Sequence, residues 1–156
     1  MFVQHSVHIN QPIATVTAAV AAGPRQWFPR FDGPIHAQIA SRVSGLGLRK
    51  NVVIDVGAPL TAGDWTEVPI TWEATFIKRL FPVMTGKVEL APVDAQITRL
   101  TVCGMYQPPL GHLGEQLDEA VMHRVAEATV KDLAESIAIR LEALAADAAN
   151  ATVRPV

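Results

Sequence analysis

The chain has 156 residues, of which 49% are apolar and 18% charged. This length suits one domain, and the composition is that of a compact globule, because a disordered chain combines low hydrophobicity with high charge. Thirteen Lys and Arg against fifteen Asp and Glu leave a formal net charge of -2. Without a basic run to follow a phosphate backbone, nucleic acid is not an expected partner.

The cysteine count and the length of the apolar runs indicate the cellular compartment in which the protein is expected. The single cysteine, Cys103, cannot form an internal disulfide, so nothing indicates an oxidising compartment. The first residues lack the basic start and apolar block of a signal peptide, and no window approaches the roughly 18 consecutive apolar residues of a membrane helix. We therefore expect a cytoplasmic protein without stable membrane insertion.

The first thirty residues predict one strand and two short helices. Phe2 to Asn10 is rich in β-branched and aromatic residues, which favours a strand. Pro12 suits the first turn of a helix over Ile13 to Ala22, which Gly23-Pro24 ends. A second short piece, Arg25 to Phe31, is helical or irregular.

From residue 35 the hydrophobic period changes to two, which predicts strands. Between Thr66 and Ile77 the even positions are apolar, whereas Glu67, Thr71 and Glu73 are polar. The short Gly- and Pro-rich connections, including a loop at 57–63, predict an antiparallel meander with one dry and one wet face. The predicted strands are Ile35 to Val43, Leu48 to Val56, Thr66 to Ile77, Pro82 to Leu90 and Gln96 to Tyr106.

A long amphipathic helix is predicted from about Glu115 to Ala146. Its apolar residues recur at gaps of three and four, and charged residues such as Glu127 and Lys131 fall elsewhere around the wheel. Ahead of it, Pro108-Pro109 must end strand pairing, and Gly111 and Gly114 allow the chain to reverse over the sheet. The predicted stripe is Met122, Ala126, Val130, Leu133, Ile137, Leu141 and Leu144.

The order of elements and three stretches of sequence resemble the SRPBCC superfamily, in a bacterial branch of it. The stretches are W-E-A-T-F-I-K-R-L-F-P-V-M-T-G-K-V-E-L-A-P, T-R-L-T-V-C-G-M-Y-Q-P-P-L-G-H-L-G and H-R-V-A-E-A-T-V-K-D-L, with Trp27 and Pro29 after the short helices. The superfamily includes START lipid-transfer domains, polyketide cyclase/dehydrase-like proteins and pollen-allergen ligand carriers. The resemblance implies an α+β helix-grip fold, with a curved antiparallel sheet of six or seven strands wrapped around the long C-terminal helix.

The resemblance also implies a cavity between the sheet and the helix. The alternation then selects the residues that would line it, with the Tyr106 hydroxyl and the Trp72 indole N–H as polar groups that orient a ligand. Core packing is the alternative interpretation of all of them. The predicted lining is Val52, Ile54, Val68, Ile70, Trp72, Phe76, Met84, Val88, Leu100, Val102, Tyr106, Met122, Ala126 and Val130.

Few residues are candidates for catalysis or for metal binding. Glu119, His123 and Glu127 stack at intervals of four on the long helix, which indicates either an acid-flanked base or a solvated row of ion pairs. His5 and His8 face opposite sides of a strand, so they form no local metal pair. Neither a dinucleotide loop nor a P-loop is present, so we predict no metal and no cofactor.

The leading hypothesis is a protein that binds or transports a small apolar ligand (a lipid, a polyketide or an aromatic molecule) in an internal cavity of a single domain, residues 1–146, with a flexible tail at 147–156. The alternative is a polyketide cyclase or dehydratase that uses His123 and Tyr106 as acid/base groups. A third hypothesis is a protein-interaction module with a vestigial pocket. The ligand, any reaction and the oligomeric state are left open by the sequence.

Overall fold

The computed structural model describes residues 1–29, 36–43, 46–74, 84–106 and 119–152. The strands in these ranges are β1 (Phe2–Ile9), β2 (His36–Val43), β3 (Leu46–Val56), β4 (Leu60–Ala62), β5 (Trp65–Ala74), β6 (Met84–Pro92) and β7 (Thr98–Tyr106). The helices are α1 (Ile13–Ala21), α2 (Pro24–Trp27) and α3 (Glu119–Thr152). The predicted reversal at 107–114 and the predicted lining residue Phe76 lie outside the described residues.

All strands join one antiparallel sheet in the order β1-β7-β6-β5-β3-β2, with β4 paired to β5. This is the predicted α+β arrangement, with two short helices after the first strand and a long helix at the end. The predicted loop at 57–63 is wrong in part, because Leu60–Ala62 forms β4. Gly63, with a φ of 61°, makes the tight turn between β4 and β5, where a left-handed backbone favours glycine.

The ends of the short elements follow from local hydrogen bonding. The N–H groups of Thr15 and Val16 donate to the Pro12 carbonyl at 3.0 and 3.1 Å, which starts α1 at the predicted place. Between β6 and β7, Asp94 Oδ1 accepts the N–H groups of Gln96 and Ile97 at 2.7 and 2.8 Å. This side-chain turn adds to the backbone bonds from the N–H groups of Val93 and Asp94 to the Ile97 carbonyl, at 2.8 and 3.3 Å.

The long helix extends further than predicted. Helix α3 continues to Thr152, beyond the predicted helix end at Ala146, whereas the domain boundary at residue 146 stays a prediction. The sequence Ala-Ala-Asp-Ala-Ala-Asn-Ala that follows Leu144 consists mainly of alanine, which has the highest helix propensity, so the helix outlasts its apolar stripe. Among the described residues, none of the helices combines the length and the apolar character needed to cross a membrane.

The two faces of the sheet differ as the alternation predicts. The inner face is apolar and shares one core with α3, in which Val68, Leu100, Val130 and Ile137 are fully buried. The stripe residues of α3 whose side chains are described are buried or partly buried, together with Ala134, Ala138 and Ala145, which the prediction omitted.

The outer face is largely polar. Lys87 Nζ lies 2.8 Å from Glu67 Oε2 and 2.7 Å from Glu89 Oε1, and hydrogen bonds to these two carboxylates raise the pKa of Lys87. This face is not uniformly polar, because Phe2 and Met105 are cross-strand partners with exposed fractions of 55% and 63%. An entirely polar outer face would have counted against the interaction-module hypothesis, and that condition is not met.

The position of α3 follows from its contacts. It contacts the sheet mainly at β1, β7 and β2, and it also contacts α1 and α2. Strands β1 and β2 are the two edges of the sheet, so the helix is held from both sides. Within the described ranges, the inner strand β7 contributes to its main contacts, whereas the middle strands β6, β5 and β3 do not. The backbone of α3 therefore stands closer to the edges of the sheet than to its middle.

A candidate ligand site between the sheet and the long helix

A row of three large side chains crosses the inner face. The strand register pairs Trp72 with Met84 and Met84 with Tyr106, so one residue from each of β5, β6 and β7 lies in the row. All three are buried. Since cross-strand partners sit about 5 Å apart, the row spans roughly 10 Å between the Trp72 and Tyr106 backbones.

Two glycines make a depression beside this row. Gly86 and Gly104 are register partners on β6 and β7, and both point to the inner face. A Cβ at Gly104 would lie 2.9 Å from Trp72 Cη2 and 3.2 Å from Met84 Cε. At Gly86 a Cβ would collide with the Cys103 carbonyl oxygen. The indole ring of Trp72 therefore packs over Gly104, and a side chain at position 104 would compete with the ring for the same space.

The acid/base candidates His123 and Tyr106 come together. The Tyr106 hydroxyl lies 3.3 Å from His123 Nδ1, and His123 Nε2 lies 3.4 Å from Glu127 Oε1. The hydroxyl–imidazole distance exceeds the usual O–H hydrogen bond of about 2.7–2.8 Å, as is common for catalytic groups without substrate. His123 is thus more than a member of a solvated row of ion pairs, because a buried phenol is its second partner.

The tautomer of His123 sets the direction of its hydrogen bond with Tyr106. When the imidazole carries a single proton on Nε2, the nitrogen that faces Glu127, Nδ1 accepts and the Tyr106 hydroxyl donates to it. In a protonated imidazole both nitrogens donate, and the Tyr106 oxygen becomes the acceptor. The hydroxyl also lies 3.0 Å from Met1 Sδ, a weak acceptor that it can use in that state.

Solvent reaches this group from one end. The side chain of Glu127 is 59% exposed and that of His123 is 39% exposed, whereas Tyr106 is 3% exposed. The three groups thus form a short path for a proton from solvent to a buried hydroxyl. Among the described residues, no group of three or more His, Cys, Asp or Glu side chains is placed to hold a metal ion.

Buried polar groups on the inner face are few, and two of them are satisfied. Thr66 Oγ1 lies 3.1 Å from Thr61 Oγ1, and Thr98 Oγ1 donates to the Gln11 carbonyl at 2.8 Å. Trp27 Nε1, deeper in the core, donates to the Val20 carbonyl at 3.2 Å. The indole N–H of Trp72 is different, because within the described part of the chain it has no hydrogen-bond acceptor.

The predicted lining residues are placed as follows. Those whose side chains are described are all buried, namely Ile54, Val68, Ile70, Trp72, Met84, Val88, Leu100, Val102, Tyr106, Ala126 and Val130. Phe76 and the side chains of Val52 and Met122 lie outside the described residues. Burial agrees with lining a cavity and with plain core packing, so their role as a lining stays a prediction.

The other residues considered as candidates for chemistry lie away from the site or outside the described residues. His5 pairs with Val102 on the inner face and His8 with Arg99 on the outer face, so these two histidines lie on opposite sides as predicted. Cys103 lies on the outer-face side of β7, where burial raises the pKa of its thiol, and its Sγ donates to the Lys87 carbonyl at 3.8 Å. Two further charged or titratable residues, His112 and Arg79, lie outside the described residues.

Sequence reasoning missed Gly86 and Gly104 as parts of the site. The available signal was an isolated glycine inside each of two strands, which often marks a close approach of another group. What the glycines make room for depends on the strand register, since Trp72 reaches Gly104 across an intervening strand.

Comparison with solved structures confirms the helix-grip fold. A conserved protein from Geobacillus kaustophilus is 13% identical, covering 95% of this chain and 97% of that one, with a TM-score of 0.56. A START superfamily protein from Mycobacterium smegmatis is 16% identical over 92% of this chain and 98% of that one, also at 0.56. Ara h 8.0201 is 14% identical over 94% and 98%, at 0.51.

No family model matches the sequence, and no curated protein matches it. Identities of this size establish a shared fold only. The function must therefore be argued from the site itself.

Proposed function

We propose that the protein binds a small apolar ligand between the inner face of the sheet and α3. The observation that carries the proposal is the way α3 is held. Its main contacts with the sheet are at the edge strands β1 and β2 and at β7, not at the middle strands β3, β5 and β6. A helix that bridges the edges of a curved sheet leaves its widest separation over the middle strands.

The chemistry of that region suits an apolar guest. Side chains that face α3 from the middle strands include Ile54, Val68, Ile70 and Val88, all at most 2% exposed. Apolar walls gain affinity by removing ligand surface from water, at about 25 cal/mol per Å². A few polar groups then fix the orientation of the ligand, and here those are the Trp72 N–H and the Tyr106 hydroxyl.

A binding panel tests this proposal. Fatty acids, sterols and aromatic polyketides are titrated against the purified protein, and native mass spectrometry of protein from its own host identifies any retained molecule. We expect at least one class to bind with one-to-one stoichiometry. Failure of every class, together with no retained molecule, would contradict the proposal.

A pair of variants locates the site. Val88→Phe adds a ring to the inner face of β6, and Glu89→Phe adds the same ring to the outer face of the same strand. If a guest occupies the space above β6, V88F folds and loses ligand affinity while E89F keeps it. If side chains fill the interior instead, V88F is overpacked and loses about 1–3 kcal/mol of stability.

The second candidate function is acid/base catalysis of the polyketide cyclase or dehydratase type. It is favoured by the contact between the buried Tyr106 hydroxyl and His123 Nδ1 at 3.3 Å, with Glu127 behind the imidazole. Such a pair can take a proton from a bound β-carbonyl compound and pass it toward solvent.

Turnover of a poly-β-carbonyl substrate by His123→Ala and Tyr106→Phe separates this candidate from binding alone. Loss of product with retained affinity would support catalysis. His8→Ala is the control, because His8 is an exposed histidine on the outer face. Unchanged product formation in H123A would remove the main support for an enzyme.

A further inference from the structure

Trp72 presents a buried donor without an acceptor. The side chain is 4% exposed, yet its indole N–H makes no hydrogen bond within the described part of the chain. A buried N–H left unpaired costs about 1–3 kcal/mol, so buried indoles usually find a partner. Trp27, which is equally buried, shows the usual outcome by donating to the Val20 carbonyl at 3.2 Å.

The orientation of the Trp72 ring is fixed by its surroundings. Its Cη2 and Cζ2 atoms would lie 2.9 and 3.5 Å from a Cβ at Gly104, so the benzo edge rests on the bare backbone of β7. Nε1 and Cζ2 are both bonded to Cε2, so the N–H lies on that same side of the ring. Tyr106 follows Gly104 by two residues and faces the same way, which brings the N–H and the hydroxyl to one region.

A water molecule is a poor partner for this N–H. A buried water needs two to four polar contacts, roughly three on average. The register neighbours of Trp72 are Ile54 and Met84, and Gly104 lies below its ring. Among the described residues, these neighbours offer side-chain carbon, one thioether and a bare Cα. A water that bridged the Trp72 N–H and the Tyr106 hydroxyl of the same row would have only these two partners, which is the lower limit for a buried water.

We propose that the Trp72 indole N–H binds an uncharged oxygen acceptor of the ligand, which makes the ligand an apolar ketone, ester or comparable carbonyl compound. This inference rests on the proposed function, because it names the chemical class of the guest in the same site. The ligand oxygen supplies the acceptor that the described part of the chain does not provide. The apolar remainder of the ligand lies over the middle strands.

The acceptor is uncharged because of the same surroundings. A carboxylate moved from water to an apolar site costs several kcal/mol unless a cation or several donors compensate it. Among the described residues, the neighbours of the indole ring, Ile54, Met84 and Gly104, carry no charge, and the His123 imidazole contacts Tyr106 at the other end of the row. A single neutral N–H does not offset that penalty, whereas it is sufficient for a carbonyl oxygen.

The test compares three probes with similar carbon skeletons, namely tridecane, methyl undecyl ketone and tridecanoate, and repeats the comparison with ethylnaphthalene, acetylnaphthalene and naphthoate. The first measurement is the indole N–H region of a ¹⁵N-correlated NMR spectrum of the wild-type protein, in which Trp27, Trp65 and Trp72 each give one signal. Trp72→Phe and Trp65→Phe assign the signals. We expect the ketone to move the Trp72 signal downfield and the hydrocarbon to leave it near its free position.

The second measurement is affinity by calorimetry. Trp72→Phe should weaken ketone binding about tenfold more than hydrocarbon binding, which is the effect of one lost hydrogen bond. Trp65→Phe is the matched control, because Trp65 is exposed at the turn next to β4 and should change neither affinity. If W72F does not fold, the NMR comparison on the wild-type protein still decides.

The outcomes are distinguishable. Equal binding of ketone and hydrocarbon, with an unmoved Trp72 signal in the ketone complex, overturns the inference and leaves the proposed function standing. Tightest binding by the carboxylate, with movement of the Trp72 signal, overturns the requirement for an uncharged acceptor. If no probe of either series binds and the wider panel also fails, the proposed function itself fails.

Discussion

The inner and outer faces of β5, β6 and β7 are built from alternating residues of the same strands. On the outer face, Glu67, Lys87 and Glu89 are partly exposed and form a hydrogen-bonded ion pair network. On the inner face, the buried residues are apolar apart from a few hydroxyls and the Trp72 N–H. The outer polar groups pair with one another, whereas the Trp72 N–H has no hydrogen-bond acceptor among the described residues. This difference between the two faces is the basis for proposing that a ligand provides the acceptor on the inner face.

The largest expected change in stability comes from substituting a buried isoleucine on α3, compared with an exposed isoleucine on the same helix. Ile137 is 0% exposed and Ile139 is 68% exposed, although they lie two residues apart. Ile137→Ala should lower the free energy of unfolding by about 2–5 kcal/mol, because it leaves a cavity in the shared core. Ile139→Ala should change it by less than about 0.5 kcal/mol. Urea unfolding followed by circular dichroism gives both values, and equal losses would mean that α3 does not pack through this stripe.

Most of the fold, though less of the site, could be predicted from sequence. Period-two alternation gave the inner and outer residues of β5 to β7 because one face is buried and the other wet. The short strand Leu60–Ala62 was missed since its three residues are all exposed and leave no alternation to read. The end of α3 was placed too early because its last turns are held by alanine propensity and carry no apolar stripe.

The sequence predicted which residues belong to the site, but it did not predict which of them are in contact. Tyr106 and His123 were both named as acid/base candidates, but their meeting depends on how α3 lies over β7. The role of Gly104 could not be predicted, because a glycine in a strand does not indicate which side chain will pack against it. Distances between elements far apart in sequence follow from packing, which local patterns do not contain.

A second prediction compares Gly104, where a Cβ would clash with a neighbouring side chain, with Gly63, where the backbone has a positive φ. Gly104→Ala places a Cβ 2.9 Å from Trp72 Cη2, so it should cost about 1–3 kcal/mol by overpacking and should displace the indole. Gly63→Ala meets nothing within 4 Å but adopts a φ of 61°, so it should cost roughly 0.5–1 kcal/mol. Apolar-probe affinity should fall in G104A alone. Unchanged affinity there would place the ligand elsewhere.

A third and smaller effect concerns the outer face. Lys87→Met removes the cation between Glu67 and Glu89 and leaves two carboxylates facing each other. Because Lys87 is 38% exposed, each lost pair should be worth less than about 1 kcal/mol. The loss should shrink in about 1 M salt, where charges more than a few Å apart are screened. A loss above 3 kcal/mol would give the outer face a structural role comparable with that of the core.

The smallest expected change involves Cys103, a buried residue on the outer-face side. Burial raises the pKa of its thiol, so at neutral pH the folded protein holds less thiolate than the unfolded chain. Reaction with an aromatic disulfide reagent should be slower for folded than for urea-unfolded protein, and it should speed up as pH rises. Cys103→Ser reports the background rate. Faster reaction of the folded protein would mean that the thiol is exposed and activated.

The central claim is that a guest lies between the middle strands and α3. Nuclear Overhauser contacts between bound methyl undecyl ketone and labelled methyl groups test it most directly. We predict contacts to Ile70 and Val88 on the sheet and to Val130 on the helix within one complex, with none to the exposed Met105 on the outer face. Contacts confined to Met105 and its neighbours, or a bound probe that contacts only one of the two inner surfaces, would contradict the claim.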